Sequence, residues 1–245
     1  MDMRIKTSSD LNISCSKCLQ YSQCMPQGLN DYETQRIDTL VNQRVRIKKD
    51  SDLYRLNFGE KPLYILRAGF FKTAISHHDG RDQVVGFHMS GDSIGLGVEQ
   101  NIHNNSKITA LEDSVVCIIP FTKIEEVANS SNLLHSHVRH LFRTEIKREN
   151  SVMLFLGSMN SEERVATFLL NLSANHESRG FSGTNINLKM SRYDIASYLG
   201  IKHETVSRTL AKFIKGNLIN LNLRFLKILN FKALHSIAND GVLVN

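Results

Sequence analysis

The chain has 245 residues, a formal net charge of +6, 41% hydrophobic and 22% charged residues, and four cysteines. That length allows one large or two ordinary domains with buried cores, and the composition argues against a disordered tail or a fibre. No apolar run approaches the roughly 18 residues that a membrane-spanning helix needs, and the N-terminus has no apolar signal segment. We therefore expect a cytoplasmic protein without a membrane partner, whose cysteines stay reduced.

The sequence divides into four segments that differ in composition and pattern. We predict a cysteine-rich segment over 1–29, a β domain over 30–121, a long helix over 122–158 and a basic helical domain over 159–245. No internal repeat and no low-complexity stretch interrupts them.

The first segment is polar and contains Cys15, Cys18 and Cys24 in the spacing C-x2-C-x5-C. A polar loop offers a thiol nothing to pack against, so we interpret the three cysteines as metal ligands or a redox switch. Cys117 lies far along the chain in the apolar run Val115–Ile119, where a cysteine alone indicates a buried core residue. Together with the other three it completes a four-thiolate site, and the spacing is equally compatible with zinc and with an iron–sulfur cluster.

The second segment alternates short apolar runs with turn signals such as His78-Asp79-Gly80. The runs are Leu63–Leu66, Phe70–Ile75, Val84–Phe87, Ile108–Leu111 and Val115–Ile119. Many short strands with regular turns are typical of an all-β sandwich, jelly roll or small barrel.

The third segment lacks glycine and proline from Thr122 to Leu156 and predicts a long helix. One of its faces has a heptad stripe suited to pairing two helices. The stripe consists of Phe142, Ile146, Glu149, Met153 and Leu156. Near a two-fold axis Glu149 approaches its own copy and opposes association. The alternative is that Glu149 points to solvent at the edge of the seam, and the sequence leaves both open.

The last quarter of the chain carries the whole net charge, because residues 187–245 contain nine Lys and Arg against three acids and the remainder of the chain is neutral. Asn160 and Glu163 predict a capped helix that ends near Glu177. Two further helices follow, one from a Ser191 cap to Gly200 and one from about Lys202 to Gly216. Two short helices around a glycine turn are typical of a helix-turn-helix. Two strand-like runs after them, Leu218–Leu223 and Phe225–Leu229, indicate a wing.

The second of these helices has the pattern of a recognition helix. Glu204, Ser207 and Arg208 share its outer face within the first two turns, where such a helix meets base edges. Arginine can bridge guanine O6 and N7, and glutamate can accept from cytosine N4. The opposite face is apolar (Val206, Leu210, Phe213 and Ile214), and Lys212 and Lys215 lie on a flank that could reach phosphates. An ordinary amphipathic helix pair shares this pattern, but the local charge and the wing favour DNA binding.

These residues together resemble the CRP/FNR family of transcription regulators, in its FNR branch, over nearly the whole chain. The motifs that carry the resemblance are Cys15-x2-Cys18-x5-Cys24, Val115–Phe121, Glu204-Thr-Val-Ser-Arg208, Gly86-Phe-His-x-x-Gly-Asp92 and Asn160-Ser-Glu-Glu-Arg164. The resemblance implies an α+β fold with an N-terminal cyclic-nucleotide-binding-like β jelly roll, a long dimerisation helix and a C-terminal winged helix-turn-helix.

The resemblance also implies a cofactor and partners. Its ligand set for an oxygen-labile [4Fe–4S] cluster is Cys15, Cys18, Cys24 and Cys117. The expected partners are a second copy of the chain, through Phe142, Ile146, Glu149 and Met153, and RNA polymerase, which such a regulator contacts as an activator. The expected DNA site is a palindrome with TTGAT-like half-sites, contacted by His203, Glu204, Ser207 and Arg208. The FNR branch usually has an apolar residue at the position of His203, so the half-site preference stays open.

Three other functions are alternatives to an iron–sulfur regulator. The cyclic-nucleotide branch uses an Arg-Ser pair for the phosphate, but His103–Lys107 contains Ser106 and no arginine, which argues against such a ligand. A zinc- or thiol-based regulator of the same fold stays open. We expect no enzyme, because no nucleophile elbow, P-loop or dinucleotide fingerprint occurs. Among His135, His137 and His140 only the last two share a helix face, and surface histidines account for them.

Overall fold

The computed structural model describes residues 13–41, 43–53, 62–95, 106–128 and 131–238. The chain divides into two compact units, one of Met1–Gly80 with Gly86–Ile146 and one of Arg81–Val85 with Lys147–Asn245. The four segments predicted from the sequence stay a prediction about domains. In the described part, no helix is both long and apolar enough to cross a membrane.

The N-terminal segment of the first unit is helical rather than a simple loop. It consists of a 3-10 turn at Cys15–Lys17, a short helix α1 at Tyr21–Cys24 and a helix α2 at Asp31–Leu40. Asn30 caps α2, since its side chain accepts from the Glu33 N–H at 2.8 Å and the Glu33 carboxylate accepts from the Asn30 N–H at 3.1 Å. The first strand therefore begins at Gln43, and a helix occupies the start of the segment that was predicted as the β domain.

Seven strands of the described chain form two antiparallel sheets. They are β1 Gln43–Ile47, β2 Pro62–Ala68, β3 Phe70–Ser76, β4 Asp82–Met89, β5 Ser93–Ile94, β6 Ser106–Ala110 and β7 Ser114–Pro120. The strand orders are β1-β7-β2-β5 and β4-β3-β6. Both sheets contribute to one buried cluster that includes Val45, Leu66, Phe71, Ile108 and Val116. Alternate positions of β1, β2, β6 and β7 supply most of this core, and the predicted jelly-roll type of β domain is confirmed.

Two helices stand where the sequence predicted one. They are α3 Phe121–Ala128 and α4 Asn132–Ser158, and residues 129 and 130 between them lie outside the described part. The Ser131 hydroxyl accepts from the Leu134 N–H at 3.5 Å and donates to Glu33 at 2.8 Å, as a residue at a helix start does. Ser131 is therefore a start signal that the absence of glycine and proline concealed.

The second unit contains a winged helix-turn-helix. Its elements are α5 Ser161–Glu177, β8 Asn185–Asn187, α6 Arg192–Leu199, α7 His203–Lys215, β9 Ile219–Asn222, β10 Phe225–Ile228 and α8 Phe231–Ile237. The helix α5 packs against α7 and α8, and the strands pair in the order β8-β10-β9. The predicted recognition helix and wing are confirmed, and β8 adds a third strand to the wing sheet.

Capping residues fix the ends of the two helices of the motif. Ser191 caps α6 in a capping box with Asp194, and Gly200 ends it at φ +61°. The Ile201 N–H then donates to the Ala196 carbonyl at 3.1 Å, as in a Schellman turn. The left-handed conformation at Gly200 is what lets α7 leave at a steep angle within three residues.

Candidate metal centre and nucleic-acid interface

The structure brings the four cysteines together at one recess of the first unit. The lining of the recess comprises Cys15, Cys18, Gln20, Tyr21, Cys24, Met25, Val41, Ile65, Arg67, Cys117 and Ile119. All four cysteines are free and partly exposed. Residues that are distant in the sequence therefore share a site, with Cys117 supplied by a strand and the others by the N-terminal segment.

Local backbone structure places each thiol. Cys15 begins the 3-10 turn, the Cys18 N–H donates to the Cys15 carbonyl at 3.0 Å, and Cys24 ends α1. Along β7, Val116 is buried in the roll core, so strand alternation turns Cys117 to the opposite face. There Cys117 and Cys24 pack against Ile119 and its neighbours. Cys117 therefore does not belong to the core of the β-roll. This differs from the interpretation of Cys117 alone, which indicated a buried core residue.

The thiols share a partly desolvated environment. Burial raises the pKa of Cys15 to about 12, with Asp38 as the second cause. Burial also raises the pKa of Cys24 and of Cys117, and the other thiolates of the recess add to the rise at Cys24. Without a bound cation these three thiols thus retain their protons, and a metal must displace them.

The side chains that could donate to a metal at this recess restrict which metals it can bind. They supply four sulfurs, which are ligands for zinc and for iron–sulfur clusters rather than for magnesium or calcium. Among the described residues, no three His, Cys, Asp or Glu side chains form a group compact enough to hold one metal ion. A zinc ion would take all four thiolates, whereas a [4Fe–4S] cluster would take one thiolate per iron. The four cysteines are the residues that would hold either group.

A buried histidine connects the cysteine segment to α4. The His137 ring donates a hydrogen bond from Nε2 to the Cys24 carbonyl at 2.9 Å. Burial lowers the pKa of His137, so its expected role as a surface histidine was wrong. Its ring stacks with that of His140 at a centroid distance of 6.4 Å, in agreement with their predicted common face. The helical spacing gave no sign of the contact with Cys24, because that contact spans more than a hundred positions.

The recognition helix α7 presents polar groups outward from a buried base. Val206, Leu210 and Phe213 are buried as predicted, whereas Ile214 is 39% exposed, so its assignment to the apolar face was wrong. The helical twist accounts for this, since Ile214 lies about 100° around from Phe213. Glu204 and Arg208 are exposed.

Contacts within the motif orient several of the predicted DNA-contacting side chains. The Arg192 guanidinium donates to the Ser207 hydroxyl at 3.1 Å. The His203 ring stacks on Tyr193 at a centroid distance of 4.3 Å, and its Nδ1 lies 3.3 Å from a Glu204 carboxylate oxygen. The contacts of Arg192 and Tyr193 come from α6 to α7, so both helices of the motif shape the surface that carries these side chains. The roles of His203, Glu204, Ser207 and Arg208 in DNA contact stay a prediction.

The two lysines predicted to reach phosphates, Lys212 and Lys215, differ in their contacts within the chain. Lys212 forms an ion pair with both carboxylate oxygens of Glu162 on α5, with 2.7 Å from Nζ to Oε2. Lys215 is exposed at the end of α7. Lys212 therefore already has a carboxylate partner within its own unit.

Arg164 anchors the turn of the motif and was recognised in the sequence only as part of a family motif. Its Nε donates to the Met159 carbonyl at 2.8 Å and its Nη1 to the Leu199 carbonyl at 2.8 Å. Its Nη2 donates to the Leu156 carbonyl at 3.3 Å. One guanidinium thus satisfies carbonyls at the ends of both α4 and α6.

The predicted dimer stripe is left uncovered within the chain. Ile146 is 55% and Met153 64% exposed, and Phe142 and Leu156 are also exposed. Glu149 is exposed beside them. The use of this stripe in a dimer stays a prediction. Of the loop His103–Lys107, only Ser106 and Lys107 belong to the described residues, where they begin β6, and the remainder lies outside them.

Comparisons with known proteins agree with this architecture. The cyclic nucleotide-binding domain matches residues 44–131 and the Crp-like helix-turn-helix domain matches residues 163–237. The chain is 37% identical to the transcriptional regulatory protein btr of Bordetella pertussis, with 96% of each chain covered. It is 34% identical to the fumarate and nitrate reduction regulatory protein of Yersinia pestis, over 93% of this chain and 91% of that one. The solved structure of FixK2 from Bradyrhizobium japonicum matches with a TM-score of 0.68 and 26% identity, over 80% of this chain and 96% of that one.

A β-roll of the cyclic-nucleotide-binding type followed by a winged helix-turn-helix defines a DNA-binding transcription regulator. Because relatives above 30% identity match almost the whole length, the chain belongs to the CRP/FNR family of transcription regulators. Family and fold, as expected from the sequence, are confirmed.

Proposed function

We propose that the protein is an oxygen-responsive regulator that binds a [4Fe–4S] cluster through Cys15, Cys18, Cys24 and Cys117. The observation that carries the proposal is the convergence of these four thiols on one recess. When bound, the cluster supplies an oxygen-labile link between the N-terminal segment and strand β7. The relatives named as fumarate and nitrate reduction regulatory proteins support a role in the response to anaerobic conditions.

The chain's own residues offer a route from the cysteine recess to α4. Cys24 is hydrogen-bonded through its carbonyl to His137 on α4, and Glu33 of the N-terminal segment accepts from Ser131 just before that helix. A change in the position of the N-terminal segment therefore acts directly on two points near the start of α4. Coupling of this kind needs only that ligand binding favours one position of the segment over another.

Further along α4, the exposed stripe is the part that we propose pairs two chains. Apolar residues at Phe142, Ile146 and Met153 favour association, and Glu149 opposes it if it lies inside the seam. A dimer that is only marginally stable is one that a modest change in α4 can switch.

Dimerisation matters because one recognition helix offers only a few base contacts, whereas two of them can bind successive major grooves. We propose that His203, Glu204, Ser207 and Arg208 read palindromic sites with TTGAT-like half-sites. Contact with RNA polymerase, as an activator, is part of the same proposal.

The test is anaerobic reconstitution with ferrous iron and sulfide. The product is expected to be brown, to contain four irons per chain and to bind a palindromic duplex as a dimer, and air is expected to bleach it and weaken that binding. Cys24→Ser is expected to abolish iron binding, with Ser16→Ala, an exposed position of the same segment, as the matched control. A colourless protein that holds zinc, or no metal, and still binds its site as a dimer would contradict the proposal.

A second candidate is a regulator of the same fold that answers to a cyclic nucleotide. The observation in its favour is the match of residues 44–131 to the cyclic nucleotide-binding domain. The absence of arginine from His103–Lys107 opposes it. Calorimetric titration with cyclic AMP and cyclic GMP separates the two candidates, since we expect no heat of binding.

A further inference from the structure

A partly buried ion pair lies beside the cysteine recess. Arg44 on β1 and Asp38 on α2 meet with 2.6 Å between Nη2 and Oδ1, and only 11% of the Arg44 side chain is exposed. The same Asp38 oxygen accepts from the Cys15 N–H at 3.1 Å. The same Arg44 nitrogen lies 4.0 Å from the Cys15 sulfur, as a donor toward it. Asp38 thus fixes both the backbone of Cys15 and the guanidinium beside its sulfur.

Strand pairing brings the same arginine to the second part of the recess. In the antiparallel register of β1 and β7, Arg44 is directly opposite Cys117. The largely buried guanidinium of Arg44 therefore belongs to a residue that neighbours cysteines from both segments that form the site.

A bound cluster would add negative charge at this place, because four thiolates outweigh the positive charge of the iron–sulfur core. Negative charge in a partly desolvated site is unfavourable unless a nearby cation offsets it. Hydrogen bonds to cluster sulfurs and nearby charges are also what a protein uses to set a cluster's reduction potential.

We propose that Arg44, held in place by Asp38, is the fixed counter-ion of the four-thiolate site, and that it sets how firmly the site retains its cluster and at what potential the cluster is reduced. Arg44 and Asp38 are positioning residues and not ligands. This inference rests on the proposed iron–sulfur function.

The test uses the full chain after anaerobic reconstitution with ferrous iron and sulfide. Arg44→Met removes the cation at similar size, and we expect about tenfold weaker retention of iron against a chelator, as for other residues that support metal ligands. The midpoint potential of the cluster is expected to fall, since reduction adds an electron to a site that has lost a positive charge. Arg46→Met is the matched control, because Arg46 is exposed on the same strand, and we expect it to change neither quantity.

Asp38→Asn supplies the sharper test, because a charge effect predicts opposite signs for the two partners. Asparagine keeps an oxygen that can accept from the Cys15 N–H but removes the negative charge, so the midpoint potential is expected to rise. A pair that only braces the fold would shift the potential in the same direction in both variants, or not at all, and either result would overturn the inference. Arg44→Lys keeps the charge without the planar fork and is expected to restore most of the potential.

Circular dichroism of the metal-free variants shows whether they fold. If Arg44→Met does not fold, the inference is tested by comparing Asp38→Asn with the unmodified protein. An unchanged or lowered midpoint potential of the cluster in Asp38→Asn contradicts the inference. A wild-type chain that binds no iron contradicts the proposed function itself. A wild-type chain that binds a cluster, with variants whose iron retention and midpoint potential are unchanged, contradicts only the role of Arg44.

Discussion

At the scale of single residues, His176 in α5 is a half-buried imidazole with cationic neighbours. Burial lowers its pKa, and the charges of Arg179 and Lys189 lower it further. Its ring meets Phe181 edge-on at a centroid distance of 6.1 Å. The folded second unit therefore binds a proton at this position less readily than the unfolded chain does.

The expected consequence is a loss of stability in acid. The contribution of His176 is fully present above the ordinary histidine pKa of about 6.5 and declines as the pH falls below that value. Urea unfolding of the wild type and of His176→Gln across this range measures the effect, and the variant is expected to show a shallower decline. An identical pH dependence in both proteins would exclude His176 as its source.

Residue identity and spacing indicated Cys15, Cys18 and Cys24, because a polar segment gives thiols nothing to pack against, whereas Cys117 alone indicated a buried core residue. The same kind of reasoning could not reach Arg44, Asp38 or His137. Each of them reaches the cysteines only when β1, α2 and α4 assemble around the cysteine segment. The residues next to Arg44 or Asp38 in the sequence do not indicate that a cysteine will lie beside it.

At the scale of elements, the turn between α6 and α7 depends on Gly200. A Cβ at this position would sit in the left-handed region at φ +61° and would overlap the Leu156 side chain. Gly200→Ala is therefore expected to destabilise the second unit by about 1–2 kcal/mol. Gly157→Ala is the matched control, because a Cβ there meets no atom within 4 Å, and it is expected to be neutral or to stabilise α4 by up to about 1 kcal/mol. Urea unfolding measures both, and equal midpoints for the two variants would contradict the argument.

Element ends were predictable wherever a side chain closes the helix. The Asn160–Glu163 box, the Ser191 cap and the Gly200 stop lie where the sequence placed them. The equivalent Asn30–Glu33 box was overlooked because the apolar runs beyond it suggested strands from the same point. The start of α4 was overlooked because Ser131 acts through one long hydrogen bond that no periodicity reveals.

At the scale of the whole molecule, the exposed stripe on α4 makes the oligomeric state testable. Ile146→Glu places a charge in the proposed seam at a side chain that is 55% exposed, so the chain is expected to fold but to remain monomeric and to lose most of its affinity for palindromic DNA. Thr144→Glu, an exposed position on the other side of α4, is the matched control. Sedimentation and DNA titration measure both, and a dimeric Ile146→Glu protein would remove the stripe from the interface.

Glu149 tests the same seam in the opposite direction. Glu149→Ala removes the proposed like-charge repulsion, so dimerisation is expected to strengthen and DNA binding to become less sensitive to oxygen. If sedimentation shows no change in association, Glu149 points to solvent and has no part in the switch.

The pairing of Lys212 with Glu162 bears on how the protein behaves as ionic strength varies. Affinity for a duplex falls with added salt roughly in proportion to the number of phosphates that cations neutralise, since each such contact releases condensed counterions. A lysine already neutralised by a carboxylate of its own domain releases little when DNA arrives. We therefore expect the affinity of this regulator for DNA to fall less steeply with potassium concentration than its number of basic side chains suggests.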